Sequence, residues 1–424
     1  MLRQLKVRRH VATVLCLLTV LALAATRAIH GSVAEAAPPA LIASAAHHFE
    51  PAFENAQHRW DWSRVRKDGS GYVDVRADGS RAELTLDPAL QTRVDKLLRA
   101  HPAPYAAVVV LSVEDGRVLA MSGHSTREPD KSVADLTMKP WAPAASIFKL
   151  VTATALVEHG VSPDTRVCYH DGVHSVEESN LRSNPRLDRA CNSLAFALAK
   201  SQNAIVARLA HDHLDEKSLA AEARALGFGV QLPFALPVEP STAHVPDGGL
   251  AFARTAAGFW NTTLSPLHGA YLAATLARGG VTPPLRLIDR VVDRDGNAVR
   301  VQAAPERRVV GEAAARAVGR MMVGTTEFGT ARFGFRDKRT NRPLLPGIAV
   351  AGKTGSLDRR DPAAPHLSYS WFVGYAPAER PEVAVAVLLG NGADWHVKAH
   401  QVAREVLGSY FEGAHEVNAR MASR

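Results

Sequence analysis

Runs of apolar residues give the chain two strand-rich ends and a helix-rich middle. Residues 106–113 are almost continuously apolar and rich in valine, and Gly116 permits a turn before a second run at 118–122. Three later segments have the same character, at 348–356, 368–376 and 383–389. Runs of this kind favour strands of a buried sheet. We therefore predict five antiparallel strands drawn from both ends of the chain.

Helical periodicity dominates between these strands and also flanks them. The predicted helices cover residues 88–100, 146–159, 192–214 with a break at 201–203, 219–226, 265–278, 310–323 and 396–411. Two hairpins are expected around Asp78-Gly79 and Asp295-Gly296, since an Asp-Gly pair suits a tight turn. The predicted fold class is α+β, in mixed α/β layers. Helices cover the faces of a five-stranded antiparallel sheet, and an all-helical region is inserted into the chain between its strands.

The amino terminus has the pattern of a targeting segment. Residues 1–10 are basic and residues 11–25 are apolar, so residues 1–28 are predicted to be a signal peptide or a signal anchor. Residues 29–70 follow as a tether of low structure, and residues 414–424 form a tail. Either fate of residues 1–28 places the protein outside the cytoplasm, in the periplasm or on the extracytoplasmic face of the inner membrane.

Net charge gives no sign of nucleic-acid binding. The formal charge is +8, and five of the positive charges lie within the first 28 residues, which leaves 8 − 5 = +3 for the remainder. A surplus this small is not the basic footprint that nucleic acids require.

Two cysteines lie beyond the targeting segment, Cys168 and Cys191. In an oxidising compartment this pair favours a disulfide. Two unpaired thiols are a second interpretation. A zinc site with His170 and His174 is a third, although the spacing fits no common zinc module. Asp188, in the polar stretch before Cys191, is predicted to be a solvated surface residue without a role.

The strongest chemical signal is a serine and a lysine three residues apart. Ser146 and Lys149 share one face of a helix that is otherwise apolar nearly all round. Burial lowers the pKa of a lysine and favours a neutral amine that can act as a base. Lys149 could thus activate Ser146 as a nucleophile. Taken alone, the pair is better explained by a capping serine and a lysine whose amine reaches solvent, because this spacing is common by chance.

Two more motifs follow later in the chain, and together with Ser146 and Lys149 they favour the catalytic interpretation of that pair. Ser201-x-Asn203 lies between two predicted helices, and Lys353-Thr354-Gly355 lies on a predicted strand before Ser356. Three motifs in this order, each in its expected structural context, resemble the transpeptidase domain of penicillin-binding proteins, within the serine β-lactamase and D,D-peptidase superfamily. The resemblance extends over residues 72–413, so residues 71–413 are expected to form this domain.

The resemblance implies a role for each matching residue. Ser146 would attack the substrate carbonyl, and Lys149 would take the hydroxyl proton. Ser201 would relay a proton to the leaving group, helped by Lys353, and Asn203 would orient Lys149 and bind the acyl-side amide.

The strand motif has an expected role of its own. Thr354 and Ser356 would bind the substrate carboxylate on either side of Gly355. The backbone N–H groups of Ser146 and Ser356 would form the oxyanion hole. The reaction would need neither a metal nor an organic cofactor.

The implied function is that of an exported serine D,D-transpeptidase that binds penicillin and cross-links peptidoglycan stem peptides. Its partners would be D-Ala-D-Ala stem peptides, β-lactams, a membrane through the anchor, and other cell-wall synthesis proteins. The alternatives are a D,D-carboxypeptidase, then a β-lactamase or a non-catalytic β-lactam sensor or scaffold. Glu239 lies outside the pattern of a deacylating β-lactamase base. Residues 258–260 depart from the family's Gly-Gln-Gly.

Overall fold

The computed structural model describes residues 61–69, 71–173, 175–359, 366–393 and 397–422. The predicted signal segment, most of the tether, His174 and the end of the tail lie outside these ranges. None of the helices in the described ranges is long and apolar enough to cross a membrane.

Fourteen strands are formed by the described residues. They are β1 (Val65–Asp68), β2 (Gly71–Val75), β3 (Arg81–Leu84), β4 (Tyr105–Ser112), β5 (Val118–His124), β6 (Ala142–Pro143), β7 (Arg166–Tyr169), β8 (Ala190–Ser193), β9 (Thr263–Leu264), β10 (Ile288–Val292), β11 (Ala298–Arg300), β12 (Ala351–Arg359), β13 (Leu367–Ala376) and β14 (Val383–Asn391).

Eleven α-helices accompany them in the same ranges. They are α1 (Pro88–Ala100), α2 (Val133–Thr137), α3 (Lys149–Glu158), α4 (Leu194–Lys200), α5 (Asn203–His213), α6 (Glu216–Ala225), α7 (Gly249–Ala256), α8 (Pro266–Ala277), α9 (Glu312–Glu327), α10 (Arg332–Phe335) and α11 (Ala399–Ala422). Asp87 caps α1 and Ser265 caps α8, each with proline in the first turn.

The central sheet has the order β12-β13-β14-β4-β5, with every neighbouring pair antiparallel. Strands from the two ends of the chain meet where β14 pairs with β4, for example at Val387 opposite Val108. Both strands are apolar because both faces of the sheet are covered. The predicted fold class and the five-stranded antiparallel sheet are confirmed.

The two faces of this sheet pack against two different apolar clusters. Successive residues of a strand point to opposite faces, and Val108 and Val109 accordingly belong to separate apolar clusters. Val108 packs in the cluster that contains residues of α1 and α11, such as Val402. Val109 packs in the cluster of α3 and α8, which contains Leu150. The helix that follows the candidate serine is thus buried against the sheet.

A second five-stranded sheet, in the order β1-β2-β3-β10-β11, was not anticipated. Both Asp-Gly hairpin signals fall at turns, but the two hairpins also pair with each other through β3 and β10. The sheet begins at Val65, so ordered structure starts before residue 71, inside the predicted tether. Arg64 stabilises this start, since its Nε lies 2.9 Å from Oδ1 of the buried Asp74.

Two other predictions need correction. The region between the early and late strands is not all helical, because β7 and β8 form a two-stranded ribbon within it. The predicted helix at 146–159 begins instead as a 3₁₀ turn, Ala145–Phe148, and becomes α-helical at Lys149. Ala145, the first residue of this turn, has a positive φ of 49°.

Candidate active site

Ser146 lies in the 3₁₀ turn that leads into α3, and its backbone is held from two sides. On one side Gly258 has φ +83°, and a Cβ there would lie 2.3 Å from the carbonyl oxygen of Ala145. Only glycine fits that approach without displacing the turn. On the other side, Trp371 Nε1 donates to the carbonyl of Pro143 at 2.9 Å. Ser146 itself is half-buried and open to the cleft.

Lys149 is fully buried, and its amine has three oxygen neighbours. Nζ lies 2.7 Å from Ser146 Oγ, 2.6 Å from Asn203 Oδ1 and 2.6 Å from the carbonyl oxygen of Ala257. Burial lowers the pKa of Lys149 well below its usual range, and the nearby charge of Lys353 lowers it further. Among the described residues no carboxylate forms an ion pair with it.

Three oxygen neighbours can satisfy an ammonium ion, and they are also compatible with a neutral amine, which burial favours. The amide oxygen of Asn203 and the carbonyl oxygen of Ala257 can only accept hydrogen bonds. They occupy the two N–H groups of a neutral Lys149 and leave its lone pair facing the hydroxyl of Ser146. That geometry suits proton transfer from the serine to the lysine.

Ser201 and Asn203 lie at the junction of α4 and α5, where the sequence predicts a helix break. Ser201 ends α4 in a left-handed conformation with φ +57°, and Asn203 begins α5. The side chain of Asn203 is 7% exposed. Its Nδ2 donates to the carbonyl of Val173 at 2.7 Å while its Oδ1 accepts from Lys149. One N–H of this amide remains for a substrate.

Lys353, on β12, is the second buried lysine of the site. Its Nζ donates to Ser201 Oγ at 3.0 Å and to the carbonyl of Thr354 at 2.8 Å. Burial lowers the pKa of Lys353 to about 7. Near neutrality this lysine is thus a source of positive charge and of a proton for the hydroxyl of Ser201.

The remaining motif residues lie on β12, which is an edge strand of the central sheet. A Cβ at Gly355 would lie 3.3 Å from Ile147 Cγ1, so the strand passes close beside the serine turn. Thr354 is partly exposed and Ser356 is exposed. Thr354 Oγ1 lies 2.5 Å from Thr330 Oγ1, which places a further hydroxyl beside the predicted carboxylate site.

The structure therefore assembles the predicted residues around one cleft. Three partners in the site were not predicted from the sequence: the carbonyl of Ala257 beside Lys149, the carbonyl of Val173 beside Asn203, and the hydroxyl of Thr330. The carbonyls have no side-chain signature, because any residue could supply them. Gly258, next to Ala257, was noted only as a departure from the family pattern.

The two cysteines form a disulfide between β7 and β8, where they face each other in register. The zinc alternative is wrong, because both thiols are consumed and His170 Nδ1 lies 2.6 Å from Asp188 Oδ1. In the parts of the chain that the structure describes, no cluster of three or more His, Cys, Asp or Glu residues could hold a metal.

Asp188 is not the solvated surface residue that was predicted. Its side chain is 2% exposed and contacts Arg208 at 3.0 Å as well as His170. Burial alone would raise its pKa, but hydrogen bonds from His170, from the backbone of Asn184 and from Arg208 outweigh burial and lower the pKa to about 2. A carboxylate with these partners is a structural ion.

The comparisons with known proteins agree with this geometry. The family model of the penicillin binding protein transpeptidase domain matches residues 106–408, which is most of the chain. The chain belongs to this family. The predicted enzyme class, that of the D,D-transpeptidases, is thereby confirmed.

Individual relatives are distant but extensive matches. Peptidoglycan D,D-transpeptidase PbpA of Mycobacterium tuberculosis is 26% identical over 347 residues, covering 74% of this chain and 68% of the relative. Peptidoglycan D,D-transpeptidase MrdA of Haemophilus influenzae is 24% identical over 384 residues, covering 78% of this chain and 56% of the relative. A solved structure of penicillin-binding protein A from M. tuberculosis, as an imipenem acyl-enzyme complex, has a TM-score of 0.65 and 25% identity. It covers 80% of each chain.

Proposed function

We propose that this protein is an exported serine D,D-transpeptidase that cross-links peptidoglycan stem peptides through an acyl-enzyme on Ser146, and that β-lactams acylate the same residue. The observation that carries the proposal is the buried Lys149, whose amine has two acceptor-only oxygens and the hydroxyl of Ser146 as its neighbours. The relatives are named as peptidoglycan D,D-transpeptidases, and a structural neighbour is an imipenem acyl-enzyme.

In acylation, Ser146 Oγ bonds to the carbonyl carbon of the penultimate D-Ala, and the serine proton passes to Lys149. The C–N bond to the terminal D-Ala breaks. Ser201 gives a proton to the departing nitrogen and takes one from Lys353, which lies 3.0 Å away. The N–H groups of Ser146 and Ser356 stabilise the oxyanion.

Deacylation reverses the proton movements. An amine of a second stem peptide attacks the ester and gives up a proton to Ser201 and Lys353. Lys149 returns its proton to Ser146 Oγ as the C–O bond breaks. Thr354, Ser356 and Thr330 hold the donor carboxylate during the first half of the cycle.

The surroundings of the two lysines argue against rapid hydrolysis of a β-lactam. A β-lactamase needs a base that activates water against the acyl-enzyme. Among the residues that the structure describes, no carboxylate forms an ion pair with Lys149 or Lys353. Glu239 is exposed and acts electrostatically on Lys139 instead. The acyl-enzyme therefore persists until an amine, or water more slowly, reaches it.

Export is proposed from residues 1–28 and is supported by the disulfide, which oxidising compartments favour. Separating cells into cytoplasm, membrane and periplasm, then determining the amino terminus of the recovered protein, tests this point. Recovery in the cytoplasm with Cys168 and Cys191 reduced would contradict it.

The enzymatic proposal is tested by labelling the purified protein with a fluorescent penicillin and comparing it with Ser146→Ala. The wild type should gain one penicillin per chain by mass and the variant none. Equal labelling of the two proteins would contradict the assignment of Ser146 as the nucleophile. Rapid turnover of the penicillin would indicate a β-lactamase. Release of D-Ala from a pentapeptide, with and without an amine acceptor, separates transpeptidase from carboxypeptidase.

A further inference from the structure

The ribbon formed by β7 and β8 contacts the catalytic turn at residues 201–203 through side chains. The hydroxyl of Tyr169, on β7, lies 3.2 Å from Gln202 Nε2 and 3.1 Å from Asn192 Nδ2, on β8. The other amide atom of Gln202 is buried and has no hydrogen-bond partner among the described residues. Tyr169 is thus the side chain that holds Gln202.

The turn needs external support because its backbone is unusual. Ser201 has φ +57°, a left-handed conformation that residues other than glycine adopt only at a cost in free energy. Gln202 occupies the N-cap position of α5, yet its side chain makes no capping hydrogen bond. Its amide is directed to Tyr169 instead, so the ribbon contacts the residue between Ser201 and Asn203.

The segment that leaves the ribbon also contacts the turn. Val173 accepts a hydrogen bond from Asn203 Nδ2 at 2.7 Å, and Gly172 accepts one from the N–H of Ala204 at 3.2 Å. Gly172 has φ +67°, and a Cβ there would lie 2.4 Å from Ala204 Cβ. The close approach holds Val173, one of the two partners of the Asn203 amide, beside α5.

Arg208, five residues beyond the catalytic asparagine on α5, anchors the base of the ribbon. Its Nη1 donates to the carbonyl of Cys168 at 2.5 Å and to Asp188 Oδ2 at 3.0 Å, and its Nε donates to the carbonyl of Asn180 at 2.6 Å. The disulfide to Cys191 joins the two strands at the same level. The ribbon is therefore a rigid support attached to the helix that carries Asn203.

We propose that Tyr169 is a positioning residue for acyl transfer, which acts through Gln202 to hold Ser201 and Asn203 in their reactive geometry. The inference rests on the proposed function, because it assigns a role in the reaction at Ser146. A hydroxyl that positions the turn affects the rate of acylation even when the fold is intact. A tyrosine that only fills space can be replaced by phenylalanine without such an effect.

The test compares Tyr169→Phe with Tyr105→Phe, each of which removes one hydroxyl. Tyr105 bonds Glu128 at the edge of β4 and serves as the matched control. The measurement is the second-order rate constant for labelling by a fluorescent penicillin, with the melting temperature recorded for each protein. Tyr169→Phe should label about tenfold more slowly than the wild type, and Tyr105→Phe within about twofold of it.

A double-mutant cycle with Gln202→Leu shows whether the effect runs through Gln202. In the Gln202→Leu background, Tyr169→Phe should slow labelling by less than twofold, because the partner amide is already gone. Two results would overturn the inference. One is equal labelling of Tyr169→Phe and wild type, and the other is an undiminished tenfold effect in the Gln202→Leu background. Failure of the wild type to label would instead refute the proposed function.

Discussion

Two buried lysines flank the cleft, and they differ in what surrounds them. Lys149 contacts one hydroxyl and two acceptor-only oxygens, and it experiences the positive charge of Lys353. Lys353 contacts one hydroxyl and one carbonyl, and its pKa is lowered by burial alone, to about 7. Burial lowers the pKa of both lysines, and the repulsion between their positive charges disfavours a second proton on the pair.

The two environments allow one cleft to hold a base and an acid of the same residue type. Like charges close together in a low-dielectric site disfavour a second proton. In the proposed mechanism the proton that the pair retains resides on Lys353, beside Ser201, and Lys149 is neutral beside Ser146. The two side chains are chemically identical, so their different roles follow from their positions, Lys149 at the start of α3 and Lys353 on β12.

Removing the base should have the largest effect. Lys149→Met keeps much of the buried volume but supplies no lone pair, so acylation by penicillin should slow about a thousandfold. The measurement is the second-order labelling rate. Lys139→Met is the control, since Lys139 is exposed and pairs with Asp135. Labelling of Lys149→Met within tenfold of wild type would contradict the assigned base.

Removing the other lysine should have a smaller effect. Lys353→Met deprives Ser201 of its donor and the cleft of its positive charge, while Ser146 keeps its base. Labelling should slow about a hundredfold. If Lys353→Met proves more damaging than Lys149→Met under the same conditions, the two roles are assigned the wrong way round.

Substitution of Gly258, which packs against the backbone of the turn that carries Ser146, should have a smaller effect. Gly258→Ala places a Cβ 2.3 Å from the backbone oxygen of Ala145, and the turn must shift. Labelling should slow about tenfold. Gly229→Ala is matched to it, since Gly229 has φ +70° with open space around it. That control should lose stability but label normally. Equal rates for both variants would show that the contact at Gly258 is unimportant.

The sequence was informative where the signal is local. Ser146 and Lys149 are three residues apart, and a helix break was expected between Ser201 and Asn203 from their capping residue types. The strand of Lys353 was expected from its apolar neighbours. Each of these signals depends on residues that are close together in the sequence, and the periodicity of apolar residues indicates local structure of this kind.

The contacts that could not be predicted join residues that are far apart in the sequence. The pairing of β3 with β10 joins residues about two hundred positions apart, and each hairpin alone gives no sign of the other. The partners of Lys149 and Asn203 include the backbone carbonyls of Ala257 and Val173. Asp188 looked solvated because its neighbours in sequence are polar, whereas its contacts in space are Arg208 and His170.

The contrast between the two lysines predicts the shape of the pH profile. Acylation needs Lys149 without a proton and Lys353 with one. The rate constant for the free enzyme should rise as pH increases through the lowered pKa of Lys149. It should fall as pH increases through about 7, where Lys353 loses its proton.

The most direct test of the central claim is therefore the second-order rate constant for penicillin labelling, measured from acid to alkaline pH. We expect the rate constant to stop rising at a pH well below the ordinary pKa of lysine and to decline above about 7, where Lys353 loses its proton. A lysine with an ordinary pKa would give the opposite result, with the rate rising about tenfold per pH unit up to about pH 10. That outcome would contradict a neutral Lys149 as the base.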